Sequence, residues 1–110
     1  MRQAREDEPV YMISVAARLC ELHPQTLRMY ERMGLVQPAR IGAKNRMYSE
    51  KDLVRLRQIQ RLTQDMGVNL AGVEVILGLL EKMQRMQDEM DTEIDRMHRE
   101  MEELLRRLEK

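Results

Sequence analysis

The feature that most restricts the fold of this chain is its last third, residues 79–110, which contains neither proline nor glycine. From Leu79 onward, apolar side chains recur in steps of four, three, four, four, three, four, three and four residues. This spacing is typical of a coiled-coil seam with one four-residue insertion. A single helix cannot bury so narrow a seam, so residues 78–110 are predicted to form the dimerisation helix of a homodimer. The predicted seam residues are Met83, Met86, Met90, Ile94, Met97, Met101, Leu104 and Leu108.

Charge is distributed unevenly along the 110 residues, although the formal net charge is zero. Residues 11–62 carry ten basic and four acidic residues, whereas residues 78–110 carry seven basic and ten acidic residues. A basic first half favours contact with nucleic acid or with a membrane surface. The sequence has no run of 18 apolar residues, and its first ten residues are charged without an apolar core. We therefore expect neither a membrane span nor a secretory signal, and a cytoplasmic protein.

The sequence contains no set of residues at the spacing typical of a metal site or a catalytic centre. Cys20 is the only cysteine, which excludes an intrachain disulfide and a zinc site with several thiolates. Cys20 and His23 have ligand-like spacing, but two ligands do not make a metal site. The sequence has no phosphate-binding glycine loop and no paired acid and base that would suit a catalytic pocket. We therefore expect no metal, no cofactor and no enzymatic activity.

Two short helices separated by a turn of about three residues are predicted near the start of the chain. Residues 1–11 are polar and are expected to be a flexible lead-in. Apolar residues recur at helical spacing from Ile13 to Cys20. Pro24 suits the first position of a second helix, which Gly34 ends. Two helices in this arrangement are typical of a helix-turn-helix.

A β-hairpin wing and two further helices are predicted next. Residues 35–48 contain two short strand-like segments around a basic loop that includes Gly42. Ser49 and Asp52 match a variant capping box at the start of a helix that Gly67 ends. The next helix is short, begins after residue 69 and bends at Gly78. The predicted fold class is therefore mainly α: a winged helix-turn-helix DNA-binding domain over residues 12–77 with a small β-hairpin wing, then the coiled-coil helix.

The second helix of the predicted helix-turn-helix is a candidate DNA-recognition helix. Gln25 would lie at its exposed N-terminal end, where residues of such helices contact base edges. Glutamine can form two hydrogen bonds with adenine, which are worth about 1–3 kcal/mol of discrimination. Basic residues on this helix, the wing and the next helix would neutralise phosphates. The alternative is a solvated basic face, as in a coiled-coil adaptor whose head binds an acidic protein and is indifferent to DNA sequence.

Three segments of the chain resemble the MerR family of transcription regulators. Residues 26–40 read TLRMYERMGLVQPAR, close to that family's pattern TLRYYExxGLxxPxR. Residues 46–53 read RMYSEKDL and resemble its wing-to-helix pattern RxYxxxDL, and residues 65–70 resemble its helix junction. The resemblance covers residues 12–80 and implies a dimeric DNA-binding regulator. Met29 replaces the first of the family's paired tyrosines, so no phosphate contact is carried over to that position.

The resemblance also implies a set of residues that contact DNA. Arg28 and Tyr30 would contact phosphate from the second helix, and Arg46 and Tyr48 would do so beside the wing. For both tyrosines, packing in the core with the hydroxyl at its rim is an equal alternative. Other candidates on the second helix and the wing come from the sequence pattern itself. Together, the predicted DNA-binding residues are Gln25, Thr26, Arg28, Tyr30, Arg40, Lys44, Asn45, Arg46 and Tyr48.

Two shorter segments, HPQT at residues 23–26 and VNLAGV at residues 68–73, resemble the heat-shock repressor subgroup of that family, HspR. This resemblance implies repression of heat-shock and chaperone genes through an inverted-repeat operator, with an Hsp70-type chaperone as co-repressor. An activator of the MerR type that distorts promoter DNA is the main alternative. Five of the predicted seam residues are methionines, whose flexible side chains pack less tightly than those of leucine and isoleucine. Two hypotheses therefore stay open: the seam melts on heating, or a chaperone recognises its exposed residues.

Overall fold

The computed structural model of the chain describes residues 5–42 and 45–109. Within those residues the chain forms three strands, four α-helices and one π-helical turn, and it divides between Glu74 and Val75 into two compact units. The predicted fold class, mainly α with a small β wing and a long C-terminal helix, is confirmed. No helix in the described residues is long and apolar enough to cross a membrane.

Helices α1 (Ile13–Leu19) and α2 (Pro24–Arg32) form the predicted helix-turn-helix. The side chain of His23 caps α2, because its Nδ1 accepts a hydrogen bond of 3.0 Å from the backbone N–H of Gln25. Pro24 occupies the first helical position as predicted, where its missing N–H would have had no partner within the helix. The start of α2 is therefore fixed by local chemistry, and Gln25 lies at that start.

The turn between α1 and α2 contains a left-handed residue that is not a glycine. Glu21 has a φ of +55° and donates its N–H to the carbonyl of Arg18, while Leu22 donates to the carbonyl of Ala17. This pair of bonds is the Schellman motif that closes many helices, usually with glycine in the left-handed position. Glu21 has a Cβ, so this turn costs about 1–2 kcal/mol that a glycine would not cost. Gly34 fills the equivalent position after α2, with a φ of +76°.

Three antiparallel strands form one sheet, in the spatial order β1-β3-β2, so that β3 is the central strand. Strands β2 (Ala39–Ile41) and β3 (Asn45–Ser49) form the predicted wing hairpin. Strand β1 (Pro9–Met12) pairs with β3, so the prediction of a flexible lead-in through residue 11 was wrong over this segment. Pro9 lies at the first residue of an edge strand, where the lack of an N–H is tolerated, and Val10 and Tyr11 favour strand.

Helix α3 (Glu50–Gln60) begins with the predicted capping box. The Ser49 hydroxyl accepts from the Asp52 N–H at 3.1 Å, and the Asp52 carboxylate accepts from the Ser49 N–H at 2.9 Å. The inner face of α3 buries Leu53, Leu56 and Ile59. A π-helical turn (Arg61–Asp65) follows α3, and the left-handed Gly67 ends this part of the chain as predicted.

Helix α4 (Leu70–Leu108) is 39 residues long, or about 58 Å at 1.5 Å per residue. The side chain of Asn69 caps it by accepting from the Gly72 N–H at 2.8 Å. The helix continues through Gly78 without interruption, so the prediction of a separate short helix before that residue was wrong. A single glycine costs a helix only about 1 kcal/mol relative to alanine, and the leucines on both sides of Gly78 are good helix formers.

Candidate nucleic-acid interface

Helix α2 presents the polar residues that the sequence predicted for base and phosphate contact. Gln25 is exposed at its first turn, and Thr26 and Arg28 are half-buried. Leu27 and Tyr30 are buried on the face that lies away from Gln25 and Arg28, and they hold the helix against the core. The helix therefore has one face fixed by packing and one polar face open at its N-terminal end, which suits insertion into a major groove.

The wing carries the second group of predicted DNA-binding residues. Arg40 on β2 and Asn45 at the start of β3 are exposed, and Arg46 on β3 is half-buried. Lys44 belongs to the same prediction but lies outside the described residues. The wing thus brings at least one exposed cation and one exposed amide to the loop end of the hairpin.

Glu31, near the end of α2, is a component of this site that the sequence reasoning missed. One of its carboxylate oxygens accepts a hydrogen bond of 3.1 Å from Arg40, and the other accepts from Nε of Arg46. Two of the predicted phosphate ligands are therefore ion-paired within the protein. The signal was faint in the sequence, because Glu31 lies nine and fifteen residues from its two partners.

Tyr30 and Tyr48 are both buried, which favours core packing over DNA contact for these two residues. Burial raises the pKa of Tyr30, and it raises the pKa of Tyr48 to about 12, with the nearby Glu31 carboxylate contributing in the same direction. The Tyr48 hydroxyl is buried and has no hydrogen-bond partner among the described residues. It therefore faces the interior as a neutral group rather than the surface on which DNA would lie.

Replacing Tyr48 with phenylalanine is expected to raise the free energy of unfolding by about 1 kcal/mol, because a buried hydroxyl without a partner is removed. DNA affinity should stay within twofold of wild type. Urea denaturation and fluorescence anisotropy measure the two quantities. Tyr11→Phe is the matched control and should lower stability, because the Tyr11 hydroxyl donates to the Glu50 carboxylate. A loss of DNA affinity in Tyr48→Phe without a change in stability would mean that the hydroxyl does reach DNA.

Cys20 lies in the core of the helix-turn-helix. Burial raises the pKa of its thiol, so the thiol stays protonated at neutral pH. A protonated thiol is a poor nucleophile and a poor metal ligand. Cys20 therefore acts in packing in this structure.

The predicted seam on α4 is open along its whole length. Its side chains are between 46% and 80% exposed, and they are Met83, Met86, Met90, Ile94, Met97, Met101, Leu104 and Leu108. Elsewhere on the helix, neighbouring turns are joined by polar contacts, among them Gln84 to Asp88 at 3.0 Å and Arg107 to Glu103 at 3.3 Å. Contacts at this spacing stabilise the helix itself but leave the apolar stripe without cover.

The sequence profile of the MerR HTH family regulatory proteins matches residues 11–80. The heat shock protein HspR of Streptomyces coelicolor is 54% identical over 82 residues, which cover 74% of this chain and 54% of HspR. The chain therefore spans about half the length of that relative.

Two solved structures resemble the chain in fold. One is the transcription regulator PbrR691 from Ralstonia metallidurans in complex with lead(II), with a TM-score of 0.61, 27% identity, and coverage of 86% of this chain and 77% of that one. The other is HiNmlR, a MerR family regulator lacking the sensor domain and bound to promoter DNA. It has a TM-score of 0.55, 25% identity, and coverage of 78% and 76%.

Proposed function

The chain belongs to the MerR family of helix-turn-helix DNA-binding transcription regulators, and within that family we propose that it represses heat-shock and chaperone genes. It binds an inverted-repeat operator as a homodimer and takes an Hsp70-type chaperone as co-repressor. The observation that carries this proposal is the 54% identity to HspR over 82 residues. That identity is twice the 25–27% shared with the promoter-bound and lead-bound regulators of similar fold.

The DNA-binding surface of the proposal consists of the N-terminal end of α2 and the wing. Gln25 is exposed at the end of α2 that recognition helices direct at base edges. Thr26 and Arg28 lie beside it and are partly open, so they would fix the register of the helix through phosphates. Arg40, Asn45 and Lys44 would contact the backbone from the wing. Tyr30 and Tyr48 are left out of this surface because both are buried.

The homodimer in the proposal is supported by the open seam of α4. Burying a Leu, Ile or Met side chain contributes roughly 1.5–3 kcal/mol, and eight such side chains lie in one line on each chain. A second copy of the same helix has the matching line of apolar residues, which is the simplest partner for it. Two chains paired by symmetry would present two α2 helices to two half-sites, as an inverted repeat requires.

Because the seam is buried only in the dimer, the midpoint of thermal unfolding should rise with protein concentration. A hundredfold increase in concentration favours the paired state by about 2.7 kcal/mol. For a folding unit of two chains, this corresponds to a rise of roughly 5–10 °C. Circular dichroism melts at several concentrations measure it, and a midpoint independent of concentration would contradict a dimer held together by the seam.

The function itself is tested by fluorescence anisotropy of a labelled inverted-repeat duplex from a chaperone promoter, at ~0.15 M salt because phosphate contacts are salt-dependent. A scrambled duplex is the competitor. We expect a preference of a hundredfold or more for the repeat, equal to about 2.7 kcal/mol. Equal affinity for the two duplexes, together with failure to enrich any sequence from a random pool, would instead support an adaptor with a basic head.

The co-repressor is tested in the same assay with an Hsp70-type chaperone added. Tighter binding of the repeat in its presence, without tighter binding of the scrambled duplex, is the expected result. If the chaperone has no effect while the repeat is still preferred, the chain is a sequence-specific regulator with a different effector. Transcription from the promoter with and without the chain then separates a repressor from an activator.

A further inference from the structure

One carboxylate and two arginines connect helix α2 to the wing. Arg40 on β2 and Arg46 on β3 lie directly opposite each other in the antiparallel register. Glu31 on α2 accepts a hydrogen bond from each of them, with one oxygen for each arginine. We call Glu31, Arg40 and Arg46 the wing clamp.

Two like charges directly opposite each other on neighbouring strands destabilise a hairpin, because their side chains start only about 5 Å apart. Glu31 lies between the two and offsets that repulsion with its own negative charge. The side chain of Glu31 is only 16% exposed, so its carboxylate is partly shielded from water and the attraction is stronger than at an open surface. The clamp therefore stabilises the hairpin and fixes its position relative to α2.

The two arginines of the wing clamp differ in the exposed fraction of their side chains. The Arg46 side chain is 27% exposed and is committed largely to the clamp, whereas Arg40 is 57% exposed. A guanidinium has five N–H donors, and the hydrogen bond from Arg40 to Glu31 uses one of its terminal nitrogens. Arg40 can therefore contact a phosphate, but only from the position in which Glu31 holds it.

We propose that Glu31 is a specificity-determining residue: it restrains the two wing arginines so that they contact phosphate only when α2 is seated on its base sequence. Without this restraint, both arginines can swing toward any phosphate within reach. Free arginines add affinity for every duplex, because phosphate contacts are the same on all sequences. The inference rests on the proposed function and assigns a role to a residue of that same site.

The test is Glu31→Gln, which keeps the size of the side chain and removes its charge. In anisotropy titrations between 0.05 and 0.3 M salt, the variant is expected to bind the scrambled duplex more tightly than wild type does. The slope of log K against log salt should steepen by roughly 0.9 for each arginine that gains a phosphate. The preference for the repeat should fall by about tenfold or more. Glu74→Gln is the matched control, since it removes the same charge from an exposed position on α4.

A second variant distinguishes restraint of the wing arginines by Glu31 from a loss of wing stability. In Glu31→Gln combined with Arg40→Gln, one of the two arginines freed by the first change is absent, so the salt slope and the affinity for the scrambled duplex should return part of the way toward wild type. If Glu31 only stabilises the wing, the double variant instead loses more affinity than either single one, and the proposal is overturned. It is also overturned if Glu31→Gln has the salt slope and sequence preference of Glu74→Gln. Failure of the proposed function would be seen separately, because the wild-type chain would then show no preference for the repeat over the scrambled duplex.

Discussion

Replacing Ile94 with aspartate is expected to dissociate the proposed homodimer and to lower affinity for the proposed inverted-repeat operator by roughly a hundredfold or more. Ile94 lies near the middle of the seam on α4, at the point where the spacing changes, and its side chain is half open in the single chain. In the paired helices, symmetry would bury two carboxylates close together, and each costs several kcal/mol to desolvate. Separate chains then bind half-sites singly and lose the gain of roughly 10²–10⁴ that a linked pair of sites provides.

Sedimentation equilibrium and anisotropy with the inverted repeat measure these two effects. Thr92→Asp is the matched control, because it adds the same charge to the same exposed helix two residues away and off the seam. That control should remain a dimer and keep its DNA affinity. If the Ile94 variant sediments and binds as the control does, the seam of α4 is not the dimer interface.

Helix starts and stops were predictable from the sequence, because the signals that set them lie within a few residues of the helix ends. Pro24 starts α2, the pair Ser49 and Asp52 starts α3, and Gly34 and Gly67 provide the left-handed positions that end their segments. Each of these signals acts on the backbone groups that a helix leaves unpaired at its ends: proline lacks one, the capping box pairs two, and a left-handed glycine lets the chain turn back to pair others. Their effect does not depend on the rest of the fold, so reading them in sequence was enough.

Strand β1 and the turn at Glu21 could not be predicted in this way. Strand β1 forms only because Tyr11 and Met12 pair with residues 48 and 47, more than thirty positions away, and nothing within the segment indicates that partner. At Glu21, the left-handed position carries a side chain, so the usual glycine signal for a helix end is absent. In both cases the tertiary structure supplies what the local sequence does not.

The candidate site was predictable as a surface but not as a set of contacts. Gln25 and Arg28 follow from the position of α2, which is a local feature. Arg46 and Tyr48 were expected to contact phosphate, yet Arg46 is paired with Glu31 and Tyr48 is buried. A basic residue in a sequence shows its charge but not the carboxylate that folding brings to it, and for that reason the wing clamp appears only in the structure.

The substitution Gln25→Ala is expected to lower affinity for the repeat by about thirtyfold or more while leaving the affinity for scrambled DNA unchanged. Gln25 is exposed at the start of α2, and the His23 cap holds its backbone, so its side chain is presented from a fixed position. One bidentate contact with a base is worth about 1–3 kcal/mol, and a symmetric dimer makes it twice, which gives roughly 2–6 kcal/mol. Gln58→Ala is the matched control, since it removes an exposed glutamine from α3.

The contact of Gln25 can also be located on the DNA. When each base pair of the repeat is changed in turn, wild type should lose affinity at one symmetric pair of positions to which Gln25→Ala is indifferent. The salt slope should be the same for both proteins, because a base contact releases no counterions from phosphate. A reduced slope, with equal losses on repeat and scrambled DNA, would mean that Gln25 contacts the backbone. Recognition of the base sequence would then come from another residue of α2 or from deformation of the duplex.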